Sequence, residues 1–169
     1  MVIADHSTRV FGDEFVPVKK FHIPAVMFGP GIPKMRYDLP ASQLDIIPTL
    51  LHFSGVSFQH PSIGRNIFDL SASDAGRAIL QYYNNFAYIL GDKVIILKPK
   101  EKPSYFQLQN FKLVPSDKEF DFLDEARAAA TVPWHIYNQK LHRLEKQKTF
   151  SNQNIGLNRN TVRNHRSRN

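Results

Sequence analysis

The sequence predicts an α/β fold, and three features carry that prediction. Two short apolar runs, residues 2–4 and 25–28, flank a polar loop and precede a helix whose ends can be read from capping residues. Two β-rich runs then flank Gly91-Asp92, a strong two-residue hairpin signal. Residues 118–147 have helical composition near the end of the chain.

In chain order, Val2, Ile3 and Ala4 read as a short buried strand. The stretch STRVFGDEFVPVKK reads as a loop, polar and punctuated by Gly12 and Pro17. Residues 25–28 form a second apolar strand, stopped by Gly29-Pro30-Gly31. Strands apolar on both faces are typical of sheets covered on both sides.

SQLDIIPTLLHFSGV is a helix. With Asp45 as N-cap, Pro48 falls in the first turn, where a missing N–H costs little. A capping box from Ser42 to Asp45 is the less favoured alternative, because it places Pro48 deeper in the helix. Gly55 supplies the stop. Beyond a loop, antiparallel strands are expected near 79–90 and 93–98. The final helix is expected to be interrupted at Pro133. From about Thr149 the chain is rich in Asn and Arg without periodicity, and disorder is expected. The division is therefore 1–148 as a folded unit and 149–169 as a basic tail.

The chain has 169 residues, 42% of them apolar and 12% aromatic, with a net charge of +7. That composition fits one folded domain. No apolar run approaches the roughly 20 residues of a membrane span, and no signal peptide is visible, so the chain alone is expected to stay in the cytoplasm. Cysteine is absent, which removes disulfide and thiolate chemistry and fits any compartment. From residue 139 onward there are eight of the twenty-two basic residues and one of the fifteen acids, leaving fourteen of each sign before it. The basicity belongs to the tail.

Asp5 and His6 leave the first strand side by side. Adjacent residues at a strand end can aim both side chains into the crevice above a sheet, where ligands of open α/β sheets bind. A carboxylate oxygen with an imidazole nitrogen suits Zn²⁺ or Mn²⁺, and two ligands require others from elsewhere. The plain alternative is a turn-capping Asp beside an ordinary loop His.

VIADHS, HIPAVMFGPG, ASQLDIIPTLLHFSGV and HPSIGRNIFDL, in that order, resemble the C-terminal part of the sulfatase family, within the alkaline phosphatase superfamily. AILQYYNNFAYILGDKVIILKP and PWHIYNQ are similar to its bacterial membrane-anchored branch, the lipoteichoic acid synthases and phosphoglycerol transferases. The resemblance covers roughly residues 2–140 and implies the C-terminal portion of an alkaline phosphatase-like sheet with flanking helices. It implies that Asp5 and His6 bind a catalytic divalent metal (Mn, Mg or Zn). The family's nucleophilic Thr or Ser and its acidic ligand have no counterpart here, so this chain alone is expected to be inactive. The resemblance further implies an upstream remainder of the catalytic domain, a phosphate or sulfate ester or phosphoglycerol lipid substrate, and a parent in the inner membrane with its catalytic domain in the periplasm or outside.

Other candidates have plain readings beside functional ones. Ser7 and Arg9 follow the ligands and could contact a phosphate, or lie in a solvated loop. His22 could approach the metal pocket, or be a strand-entry residue. His60 lies in a loop resembling the end of the family's catalytic core, and Arg65 could pair with an anionic substrate or form a structural ion pair. Asp45 reads as a helix cap, not a third ligand. The aromatics of QYYNNFAYIL read as core. The tail could touch anionic lipid or nucleic acid, or be a solvated extension, and nucleic acid is the least favoured partner. The alternative function is an inactive remnant or a binding module acting through that tail. A sheet missing its neighbours leaves bare apolar surface, so self-association or poor solubility is expected.

Overall fold

The computed structural model describes residues 1–7, 14–56, 62–69, 71 and 74–143. The expected tail, Arg9 and His60 lie outside the described residues.

Two sheets organise the chain. β1 (Val2–Ile3) pairs antiparallel with β2 (Ala25–Val26), Val2 opposite Val26 and Ile3 opposite Ala25. Between them α1 (Val18–Phe21) forms one helical turn. A 3-10 turn at Gln43–Asp45 leads into α2 (Ile46–Phe53). The second sheet is an antiparallel meander of β3 (Arg77–Tyr82), β4 (Asn85–Leu90), β5 (Lys93–Leu97), β6 (Ser104–Gln109) and β7 (Lys112–Pro115). α3 (Leu123–Asn138) follows.

The meander is apolar on both faces because both are covered. Ala87, Ile89, Val94 and Ile96 face Val16 and Val18, with Phe15 and Phe21 packed alongside. Tyr88 and Ile95 face Phe120, Phe122 and Ala126 of the chain entering and starting α3. Period-2 alternation puts Val94 and Ile96 on one side and Ile95 on the other. The Asn85 amide donates to the Phe15 carbonyl at 2.8 Å, and the Lys98 ammonium sits 4.6 Å from the centre of the Phe15 ring. These two contacts tie the N-terminal segment to the sheet.

Several expectations are corrected. Residues 14–20, read as loop, run into α1 and with Phe21 supply half of one core. Their valines and phenylalanines outweigh the punctuation of Pro17. The run 79–90 is two strands, not one, because the chain reverses at Tyr83, which sits at φ 50°. β6 and β7 escaped the sequence reading. They turn at Asn110 and Phe111, both at positive φ (49° and 65°), the pattern of a type I′ hairpin, here without the glycine that signals it. Pro133 sits inside a continuous α3. Its missing N–H opens one rung of the ladder and the helix continues past it. The strands at 2–4 and 25–28 are shorter than expected and largely exposed, with Val2, Val26 and Phe28 open to solvent. Among the described residues no third layer covers them.

The start of α2 also differs. Asp45 has helical dihedrals and makes no side-chain cap bond to α2. Instead the Ser42 N–H donates to Asp45 Oδ2 at 2.9 Å, the reciprocal half of the capping box read as the alternative. Pro48 is tolerated there because the carbonyl its N–H would have served, that of Leu44, takes the Ser62 hydroxyl at 3.4 Å. Gly64 presses onto the same carbonyl, where a Cβ would come within 1.8 Å of the Leu44 oxygen. Only glycine fits that approach.

Candidate metal centre

β1 ends at Ile3, and Ala4 remains attached to the second strand through its N–H, 3.4 Å from the Pro24 carbonyl. The Asp5 carbonyl accepts from Gln43 Nε2 at 2.7 Å, which ties the strand end to the 3-10 turn. The 3-10 turn is in turn fixed to the meander. The Ile79 N–H donates to Ser42 Oγ at 2.8 Å and the Arg77 N–H to the Pro40 carbonyl at 2.8 Å. The corner carrying Asp5 and His6 is thus positioned by the edge of β3 through residues 40–45.

The two side chains face each other. His6 Nε2 lies 3.5 Å from Asp5 Oδ2, with the His6 side chain 76% and the Asp5 side chain 87% exposed. The His6 N–H donates to Asp5 Oδ1 at 2.8 Å. His6 Nδ1 stands 2.6 Å from the Ser7 carbonyl. A carbonyl only accepts, so Nδ1 carries the proton. In the neutral ring Nε2 then presents a lone pair toward a carboxylate oxygen. Backbone contact to the far ring nitrogen is how metal-ligating histidines are commonly oriented. The donor set, one carboxylate and one imidazole, suits a divalent ion. Among the described residues no group of three or more His, Cys, Asp or Glu could hold a metal ion. Asp5 and His6 alone supply two donors, fewer than a catalytic site uses.

The other candidates lie apart in role. Among the described residues Ser7 joins the corner through its carbonyl. The His22 ring packs on Phe111 at 4.9 Å, at the turn between β6 and β7. Arg65 donates from Nη1 to Asp74 Oδ2 at 3.1 Å, the ion pair that was its plain reading. Arg9 and His60 lie outside the described residues.

Asp45 is a buried hub. Its Oδ1 accepts the Arg65 N–H at 2.7 Å and Arg77 Nη2 at 3.4 Å. Arg77 Nη2 also donates to the Ile63 carbonyl at 3.2 Å. Two ion pairs, Arg77–Asp45 and Arg65–Asp74, join the turn, the 62–66 loop and β3. Burial pushes the nearby Tyr37 phenol up, and the Asp74 carboxylate adds to it. Sequence reasoning missed Arg77 and Tyr37. An Arg opening an otherwise apolar strand was the available signal for the first. Nothing local marked the second.

No protein-family model matches the chain. Its fold is alkaline phosphatase-like. It is similar to a solved structure described as a protein in the alkaline phosphatase superfamily from Vibrio parahaemolyticus, with a TM-score of 0.77 and 36% sequence identity over 85% of this chain. The chain spans 36% of the length of that protein. The likeness supports the superfamily and does not single out a branch within it.

Proposed function

We propose that this chain is the C-terminal portion of a metal-dependent, sulfatase-like hydrolase or phosphoglycerol transferase acting on phosphate or sulfate esters. The single observation that carries this reading is the facing Asp5 carboxylate and His6 Nε2 at the end of β1. Asp5 and His6 are the residues that would hold the ion. When bound, a divalent cation lowers the pKa of an attacking hydroxyl and neutralises charge on the transferring group. Within this chain, the His6 ring is held by the Ser7 carbonyl, the Asp5 carboxylate accepts the His6 N–H, and Gln43 fixes the Asp5 backbone. The remaining ligands and the nucleophile belong to protein upstream, which is also the natural cover for the exposed apolar residues of β1 and β2.

The test uses the longer protein that this reading requires. With Mn²⁺, Mg²⁺ or Zn²⁺ supplied, it is assayed on an aryl phosphate, an aryl sulfate and a phosphoglycerol lipid. Asp5→Ala is expected to abolish turnover and to lower the bound metal measured by elemental analysis. Undiminished turnover in that variant removes the metal role.

A further inference from the structure

The second half of α3 overhangs the sheet it starts on. Ala126 is buried against Phe122 and Tyr88, but Trp134 and Tyr137 are each 71% exposed, and Leu141 is exposed as well. Trp134 and Tyr137 are three residues apart, neighbours on one helix face. The chain then turns back on itself. The Leu141 N–H donates to the Ile136 carbonyl at 3.0 Å and the Lys140 N–H to the Tyr137 carbonyl at 3.1 Å, with Lys140 at φ 57°. These are the two bonds of a Schellman motif. The His142 ring stacks on Tyr137, 5.6 Å between centres and 10° between planes. Lys140, His142 and Arg143 are thereby gathered beside the exposed aromatics, not strung away from them.

We infer that this helix end is a docking surface for an anionic lipid bilayer, on which it lies without spanning. Charge complementarity selects the occupant. The acids of α3, Asp124 and Glu125, sit at its other end. At this end Lys140 and Arg143 close the helix, and the six basic residues that follow them in sequence, with Glu145 the one acid, lie outside the described residues. Trp and Tyr with one polar edge, beside an aliphatic residue and Lys/Arg, are the side chains that settle at a headgroup boundary. Among the described residues no helix is long and apolar enough to cross a membrane. A nucleic acid would match the charge but makes no use of Leu141. A second copy would match the apolar residues but repel the basic ones. The inference does not depend on the metal-site reading.

Trp134 is the sole tryptophan of the chain, so its emission reports this surface directly. The 169-residue protein is titrated with vesicles of phosphatidylcholine, and with vesicles in which part of it is replaced by phosphatidylglycerol. The expected result is a blue shift, and quenching by brominated acyl chains, with the anionic vesicles only, weakening as salt rises. The exposed double variant Lys140→Gln/Arg143→Gln should partition roughly thirtyfold more weakly. Four results each overturn the inference. They are unchanged emission with anionic vesicles, vesicle sedimentation without any tryptophan shift, a concentration-dependent blue shift with no lipid present, and an equal shift at lower concentration with a single-stranded oligonucleotide.

Discussion

Val94 in β5 and Val26 in β2 are the same residue in the same kind of element, yet Val94 is fully buried and Val26 is 59% exposed. The meander has a layer on each face, residues 15–21 on one and Phe120, Phe122 and α3 on the other. The β1–β2 corner has neither. A strand pair satisfies backbone hydrogen bonds, but burial of its side chains needs a further layer, and the corner that carries Asp5 and His6 has none among the described residues. The closed region gives the chain its stability; the open region carries its candidate chemistry.

Substitutions can break or sharpen that contrast. The largest effect is expected at the joint between the regions. Asp45→Ala leaves Arg77 and the N–H groups of Ser42 and Arg65 without their acceptor. Removing one partner of a buried pair costs about 3–5 kcal/mol, read as a lower urea midpoint. A loss under about 1 kcal/mol would mean the joint is not where the regions are coupled. Next comes the sheet. Ile95→Ala should cost about 2–5 kcal/mol in the same measurement, whereas Val26→Ala in the corner should stay within about 0.5 kcal/mol. Equal losses would contradict the difference in burial.

Tyr88→Phe is smaller. The Tyr88 hydroxyl donates to Glu125 Oε2 at 3.2 Å, a bond that contributes about 1 kcal/mol. Burial first, and then the Glu125 carboxylate, pushes this phenol above its ordinary value of 10.0. The unfolded chain then releases its proton at lower pH than the folded one. Stability from this group is therefore complete below pH 10 and falls as pH rises from there through the raised folded value. Denaturation midpoints measured across the alkaline range should fall less steeply in the variant, and an identical slope would place the effect elsewhere. The smallest change in stability, near zero, is expected for Phe28→Ser. That variant should nevertheless reduce self-association in light scattering, because Phe28 is among the most exposed apolar side chains of the corner. A native chain that stays monomeric at high concentration would go against the corner as an adhesive surface.

Legibility followed the range of the interactions. The hairpin at Gly91 was readable because a positive φ (61° here) calls for glycine locally. The turn at Asn110-Phe111 was not, because Phe111 adopts positive φ (65°) without any such residue. There the pairing of β6 with β7 imposes the turn, Leu108 opposite Leu113 and Gln109 opposite Lys112. In sequence Asp45 reads as the N-cap of α2, whereas its carboxylate accepts the Ser42 N–H as the N3 side of a capping box. Its partners, Arg65 twenty positions away and Arg77 thirty-two away, lay beyond any local pattern. Of the candidate site, the Asp5-His6 doublet was visible as a pair of metal-capable residues. That His6 turns Nδ1 to the Ser7 carbonyl and Nε2 to Asp5 is a matter of rotamer and backbone, which adjacency in sequence does not specify.

By itself the sequence determined the α/β class, the stop of α2 at Gly55, the hairpin at Gly91 and the segregation of positive charge beyond residue 139. Each rests on periodicity, turn chemistry or composition within a few residues. Only the tertiary structure decided that residues 15–21 are core, that β6 and β7 complete a five-stranded meander, and that among the described residues nothing covers the Asp5-His6 corner. Burial is a property of what packs on a residue from elsewhere in the chain, and an apolar run reads the same whether or not that cover exists.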